Sequence, residues 1–329
     1  MHYKINTLIT GVFILNNEEL ERIIRNAILE SNSIKSQYST LSTWLLSYKQ
    51  IILKRGYAIS TIKNKVSIIK HIETILGFKN ITNIRPFEIS DMLSGFSSHN
   101  AGRILSELKD IYFEAIANGV TNTNPVLHVR SPKQLRIRKR LTLDVYNQML
   151  EKAFDSSITW LAPMLLLALS TGQRRGDLVK MRFEDIVDGY LRVEQEKKAN
   201  KTFGARLAIP LNIYSKALGC TLSDIVELCK INSIGPTLLR KSNGTSIEVS
   251  SLSARFHELI IQVLGVDAYA KYEWPSLHEI RSLSARTYLS EGIHPSVIQT
   301  LLGHKHEEMT EIYLDDRGLT EKEYKLVKY

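Results

Sequence analysis

Cysteine is scarce in this chain, which has only Cys220 and Cys229 among its 329 residues. The two show no paired metal-ligand spacing, so they argue against a zinc or disulfide framework and favour a reducing compartment. Long hydrophobic runs are lacking as well. The apolar run at 160–169 is too short to span a bilayer, and the stretch at 8–15 lacks the basic flank of a signal peptide. We therefore expect a cytoplasmic protein.

Acidic residues are outnumbered, because 43 lysines and arginines face 34 aspartates and glutamates. The resulting net charge of +9 favours an anionic partner, and nucleic acid is the first candidate. Hydrophobic residues make up 43% and charged residues 23%, as in an ordinary globular protein. A length of 329 residues predicts two domains.

Residues 1–37 are the least informative part of the chain. A β-prone stretch at 7–15 is followed by an amphipathic helical pattern at 18–30. The segment is too short to bury an independent core, so we interpret it as an appended module or a cap on the next domain.

The next domain, at 38–124, has helical periodicity throughout. Apolar residues of the first predicted helix are Leu41, Trp44, Leu45, Tyr48 and Ile52. Those of the second, at 60–76, are Ile62, Val66, Ile69, Ile72 and Ile75. Pro86 suits the first turn of a third helix, and a fourth is predicted at 100–118. Lys63 and Lys65 lie on an outer face, where they contact DNA or simply solvate a helical bundle.

A basic linker is predicted at 125–141, where two prolines occur without a clear period. Its basic residues are Arg130, Lys133, Arg136, Arg138, Lys139 and Arg140. No acidic residue occurs between Arg130 and Leu143, whereas a merely solvated linker usually mixes both signs. We therefore interpret the linker as a contact to a phosphate backbone.

The second domain, at 142–329, begins with Thr142 as a helix N-cap. The run at 160–169 is apolar on all sides and predicts a buried helix. Two β-like runs, at 190–195 and 205–210, predict a hairpin with a lysine-rich loop. Further helices are predicted at 222–230, 250–263, 277–289 and 295–302. The expected fold class is mainly α with a small β-sheet.

One polar cluster in this domain begins a predicted helix. Ser276 and Glu279 have the spacing of a capping box, which places His278 in the first turn and Arg281 on the same face. Free amides, the helix dipole and a guanidinium together suit a phosphate. A surface helix with two incidental polar residues is the alternative.

Two more clusters follow helix ends. Arg174 comes directly after the predicted buried helix, and Asp177 is placed to orient its guanidinium, unless the two form a purely structural pair. His304 follows Gly303, and Tyr313 lies nine residues later. No metal site is predicted, because the histidines have no neighbouring acid pair or cysteine to complete one.

Taken in order, these residues resemble the signature of the tyrosine recombinases, or phage integrases. The matching runs are Thr-Gly-Gln-Arg at 171–174, Gly-Asp-Leu at 176–178, Asp-Ile-Val-Asp-Gly-Tyr-Leu at 185–191, Val-Glu-Gln at 193–195, His-Glu-Ile-Arg-Ser-Leu-Ser-Ala-Arg at 278–286, Leu-Leu-Gly-His-Lys at 301–305 and Asp-Asp-Arg-Gly at 315–318. The resemblance covers about 38–329. It implies a helical core-type DNA-binding domain and an α+β catalytic domain that form a C-shaped clamp on DNA. For the short segment at 1–37 the resemblance implies either a reduced form of the family's arm-binding module or a protein that binds core sites alone.

The resemblance implies that the protein integrates and excises phage DNA by site-specific recombination. Tyr313 would attack the scissile phosphodiester and form a 3′-phosphotyrosine. Arg174 and Arg281 would neutralise the non-bridging oxygens, His278 would act in proton transfer, and His304 would donate a hydrogen bond to the phosphate.

A lysine of the hairpin loop would be the general acid, by this resemblance Lys197, although Lys198 and Lys201 stay open. No cofactor is implied. The implied partners are double-stranded DNA attachment sites and further copies of the chain in a tetramer, with integration host factor and an excisionase as accessory proteins. The implied location is the nucleoid of a bacterial host. The tail at 324–329 would pack on its own domain or on a neighbouring subunit.

Two alternatives remain open at this point. A recombinase that resolves DNA dimers or inverts a segment would use the same chemistry. A protein that has lost catalysis and only occupies an attachment site is the other, although every expected catalytic position is filled.

Overall fold

The computed structural model describes residues 40–133, 138–195, 204–232, 235–317 and 319. The predictions for 1–37, Arg136, Lys197, Lys198, Lys201 and 324–329 lie outside the described residues. The chain divides into two compact units between Leu135 and Arg136. Pro125 and Val126, at the start of the predicted linker, are buried in the core of the first unit.

In the described part of the first unit, four α-helices pack around one apolar core. They are α1 (Leu41–Lys54), α2 (Ile59–Leu76), α3 (Pro86–Ser94) and α4 (Ser98–Ala117), followed by a 3₁₀ helix at Pro125–His128. The buried side chains of Trp44 and Tyr112 donate hydrogen bonds to the carbonyls of Ile111 and Ile81. The core therefore satisfies the polar atoms of these two buried aromatic side chains.

The apolar stripe predicted for α2 is only partly correct. Ile69 and Ile72 are buried together with Leu76, but Val66 and Ile75 are 43% and 38% exposed. The buried face thus follows the i, i+3, i+7 spacing of a single helical stripe.

A polar cluster joins α1, α2 and α4 inside the first unit. The Tyr48 hydroxyl oxygen lies 2.8 Å from Glu107 Oε1 and 2.5 Å from Asp110 Oδ2, and its single proton is shared between the two carboxylates. Lys65 Nζ lies 2.7 Å from Glu107 Oε2, with the lysine side chain 17% exposed. Lys65, predicted to contact DNA, is therefore engaged in an internal ion pair, whereas Lys63 is exposed.

The second unit combines helices with small antiparallel sheets. Its helices are α5 (Leu143–Phe154), α6 (Leu161–Thr171), α7 (Arg175–Leu178), α8 (Leu222–Asn232), α9 (Val249–Leu264), α10 (His278–Ser290), α11 (Pro295–Leu302) and α12 (Glu307–Leu314). Every residue of α6 is buried, and α5, α7, α8 and α10 pack around it. The predicted class, mainly α with a small sheet, is confirmed.

The strands of the second unit position Gln195, a residue of the candidate active site described below. Strands β1 (Ile186–Val187), β2 (Tyr190–Glu194) and β3 (Arg206–Pro210) pair in that order, and β4 (Tyr214–Ser215) pairs with β5 (Cys220–Thr221). Leu191 pairs with Ile209, and both face the core. Exposed and buried side chains alternate along β2, and this pattern continues to Gln195, which is buried. Nowhere in the described residues is a helix long and apolar enough to cross a membrane.

Candidate active site

Two helix ends bring Arg174 and His304 to the site. Gly172 ends α6 and Gly303 ends α11, with φ angles of 63° and 64° in the left-handed region that glycine adopts without strain. A Cβ at Gly303 would lie 2.6 Å from Oε1 of Gln195, so a larger residue there would have to displace the Gln195 side chain. Each glycine turns the chain sharply just before a predicted functional residue.

The start of α10 places His278 in the first turn, as predicted, but the predicted capping box is wrong. Leu277 is the N-cap residue and makes no side-chain cap hydrogen bond. The Glu279 carboxylate does not reach back to Ser276; it is buried and accepts a hydrogen bond from Arg140. A buried carboxylate is stabilised far better by a guanidinium than by one backbone amide, which explains the difference.

Tyr313 of α12 lies against three of the other predicted residues. His278 Nε2 is 2.8 Å from the Tyr313 hydroxyl oxygen. The His304 ring lies 4.9 Å from the Tyr313 ring, centroid to centroid, and the Arg281 guanidinium carbon lies 5.5 Å from the same centroid. The structure thus brings these four residues into one cluster.

Arg281 is 1% exposed and fixed by backbone carbonyls. Its Nη1 donates to the carbonyl of Gly172 at 2.7 Å, and its Nη2 donates to that of Leu302. Nη2 also lies 3.0 Å from Nε2 of His304, and an arginine can only donate there. The His304 proton therefore sits on Nδ1, 3.0 Å from the Thr310 hydroxyl. That hydroxyl can also donate, so it supports the other tautomer equally well.

Arg174 is oriented by an amide rather than by the predicted carboxylate. Its Nη1 donates to Gln195 Oε1 at 2.9 Å, and Gln195 Nε2 donates to Gln173 and to the carbonyl of Leu302. Asp177 meets Arg174 through its backbone amide instead. Sequence reasoning missed this role of Gln195, although the strand alternation that carries it inward was a usable signal.

The cluster is strongly electropositive, and burial together with its positive charges lowers the pKa values of the two histidines. Burial, followed by Arg281 and Arg174, lowers the pKa of His304 to about 4. The pKa of His278 is also lowered to about 4, again by burial followed by Arg281 and Arg174, although this residue is partly exposed to solvent. Burial, followed by Arg174, lowers the pKa of Arg281 to about 10, so it stays protonated at neutral pH. The imidazoles are neutral and the guanidiniums charged, which suits an incoming anion.

His304 makes the folding stability of the DNA-free protein depend on pH. Its folded pKa of about 4 lies below the unfolded value of about 6.5, so the unfolded chain binds the extra proton. This contribution to the unfolding free energy is present above pH ~6.5 and is lost as the pH falls towards 4. We expect His304→Gln to weaken the pH dependence of the free energy of unfolding, measured by urea denaturation between pH 7 and 4.5. The exposed His99→Gln serves as control, and an equal weakening there would contradict the assignment.

The predicted DNA contacts divide into three groups: exposed residues, the internally bonded Lys65 and Arg140, and Arg136, which lies outside the described residues. The exposed ones are Lys63, Arg130, Lys133, Arg138 and Lys139, for which the role stays a prediction. Arg140 does not fit its predicted role, because its side chain is 2% exposed and its donors point inward.

Among the described residues, no group of three or more His, Cys, Asp or Glu side chains could hold a metal ion.

Known proteins are similar to this chain in sequence and in fold. The model of the phage integrase family matches residues 139–318. The integrase of Enterobacteria phage 434 is 38% identical over 283 residues, covering 85% of this chain and 77% of that protein. A lambda integrase dimer bound to a COC′ core site has a TM-score of 0.79 and 36% identity, covering 88% of this chain and 100% of that one. A lambda integrase tetramer bound to a Holliday junction has a TM-score of 0.80 and 33% identity, covering 95% and 90%. The chain therefore belongs to the phage integrase family and is a tyrosine site-specific recombinase.

Proposed function

We propose that this recombinase cleaves and rejoins phage attachment-site DNA through a covalent 3′-phosphate link to Tyr313. The observation that carries the assignment is the 2.8 Å contact between the Tyr313 hydroxyl and His278 Nε2, beside two fixed guanidiniums. A nucleophile, a base and cationic groups for the phosphate thus occupy one cluster.

The nucleophilic step uses the neutral form of His278. Its Nε2 accepts the Tyr313 proton while the phenolic oxygen forms a bond to phosphorus and the bond from phosphorus to the 5′-oxygen breaks. The leaving oxygen takes a proton from a general acid, for which we propose Lys197. Rejoining is the reverse reaction: a 5′-hydroxyl attacks phosphorus and Tyr313 leaves with a proton from His278. One phosphoester bond of the DNA breaks and one phosphoester bond to Tyr313 forms. The bond energy is therefore conserved, and rejoining requires no separate energy source.

Charge stabilisation falls to Arg281 and Arg174. Both guanidiniums are held in place before the reaction, and donors that need no reorganisation stabilise developing charge most effectively. Arg281 Nε is buried without a hydrogen-bond partner in the described structure, so this residue retains donor capacity. His304 donates to a phosphate oxygen by moving its proton from Nδ1 to Nε2; Nε2 then gives up the hydrogen bond that it accepts from Arg281 Nη2, and Thr310 donates to Nδ1.

The proposed assembly is a tetramer on double-stranded DNA. It is supported by the lambda integrase tetramer bound to a Holliday junction, with which this chain shares its fold. The exposed bases at Arg138 and Lys139 would follow the phosphate backbone. We further propose integration host factor and an excisionase as accessory partners, and action on the nucleoid DNA of a bacterial host.

The test is to trap the covalent intermediate. Nicked duplexes tiled across the DNA that flanks the coding region release a short 5′-hydroxyl fragment after cleavage, so rejoining is blocked. A labelled 3′-phosphate strand should then remain on the protein in a denaturing gel. Sequence-specific binding without any adduct would instead identify an attachment-site binding protein.

A further inference from the structure

Arg140 lies in the short segment that leads into α5, and its guanidinium is directed into the second unit. Nε donates to the carbonyl of Asp315 at 2.9 Å, and Nη2 donates to that of Ile312 at 2.7 Å. Nη1 donates to Glu279 at 3.0 Å and to Ser282 at 2.6 Å. One side chain thus bonds to two helices and to the residue that follows one of them.

The two carbonyls belong to the C-terminal end of the helix that carries Tyr313. Helix α12 ends at Leu314, and the last carbonyls of a helix have no intrahelical donor. A guanidinium there satisfies them and lies at the negative end of the helix dipole. Removing it would leave the last turn, which contains Tyr313, without its anchor.

The other two bonds reach the helix that carries His278 and Arg281. Glu279 directly follows His278, and Ser282 directly follows Arg281. Ile312 directly precedes Tyr313 on the partner helix. Arg140 therefore holds the chain neighbours of three active-site residues without entering the cluster that they form.

We propose that Arg140 is a positioning residue that sets the distance between the Tyr313 hydroxyl and His278. The proposal rests on Tyr313 being the nucleophile. A parallel contact supports it: Arg317, just beyond α12, donates to the carbonyl of Arg138 at 2.6 Å. The segment 138–141 thus donates hydrogen bonds to the end of α12 and also accepts one from the residues that follow this helix.

Arg140→Lys separates positioning from the general need to neutralise Glu279. The lysine keeps a positive charge for that carboxylate, but its three donors share one nitrogen, so it cannot span Glu279 and the carbonyls of Ile312 and Asp315 as the planar guanidinium does. A displacement of about 1 Å at a reacting group costs on the order of 100-fold in rate. We expect single-turnover cleavage of the nicked duplex to slow by about 100-fold at saturating protein. The Kd for that duplex should stay within about twofold.

Hydrogen exchange supplies a readout that a general loss of stability would not produce. In Arg140→Lys, amides of 307–316 should exchange faster while those of 143–171 are unchanged. Glu279→Gln removes the charge pair but keeps a side-chain oxygen for Nη1 and leaves both carbonyl bonds, so it should slow cleavage much less than Arg140→Lys does. Arg286→Lys is the matched control, because Arg286 donates to the carbonyl of Leu141 in the same segment but to no atom of α12.

The outcomes are distinct. Normal cleavage by Arg140→Lys, or an equal loss in Arg286→Lys, overturns the positioning role. A loss of equal size in Glu279→Gln would assign the effect to the carboxylate and also overturn it. Failure of the unaltered protein to form any adduct would instead contradict the proposed function.

Discussion

Replacing Tyr313 by phenylalanine should abolish the covalent protein–DNA adduct while DNA binding persists. Phenylalanine keeps the ring that packs on His304 and beside Arg281, so the cluster retains its shape. It loses only the hydroxyl that lies 2.8 Å from His278 Nε2. Loss of a covalent nucleophile lowers rates on the order of 10⁶-fold, so cleavage should fall below detection on the nicked duplex.

The matched control for this experiment is Tyr214→Phe. Tyr214 is a 53% exposed tyrosine of β4, far along the chain from the cluster, and its loss should leave adduct formation unchanged. Protein–DNA affinity is measured for both variants on the same duplex. An adduct that survives in Tyr313→Phe, traced by peptide mapping to another residue, would overturn the assignment of the nucleophile.

Local sequence patterns predicted the fold well where a single period decided the structure. The apolar run at 160–169 is the buried helix α6, and the predicted helix at 295–302 has the bounds of α11. Positions that depend on packing partners were predicted less well. Val66 and Ile75 continue the apolar period of α2 but remain exposed, because among the described residues of the first unit no core side chain covers their helix face.

The site shows the same division between local and tertiary information. His278 and Arg281 share a helix face, so their proximity follows from spacing alone. Arg140 meets Glu279 across 139 positions of the chain, and no local pattern shows which base of a basic segment turns inward. The role of Gln195 likewise depends on tertiary structure, because it lies between the end of a strand and the end of a distant helix.

Replacing Arg174 by alanine should lower the cleavage rate by about 10³-fold or more with little change in DNA affinity. Arginine contacts to a transferring phosphoryl group contribute 10³–10⁵ in rate, because charge develops there in the transition state. Arg174 suits this test better than Arg281. Its partner is the Gln195 amide, whereas Arg281 is 1% exposed and bonds to the carbonyls of two helix ends.

The neighbouring Arg175 provides the matched control for that variant. It is exposed and donates to Ser253, so Arg175→Ala removes an equal charge without touching the Gln195 network. Single-turnover rates at saturating protein, with separately measured Kd values, distinguish a catalytic from a docking arginine. If Arg174→Ala instead weakens binding and cleaves normally once bound, Arg174 is a docking residue. The stabilisation of the transition state would then fall to Arg281, with its carbonyl-fixed guanidinium.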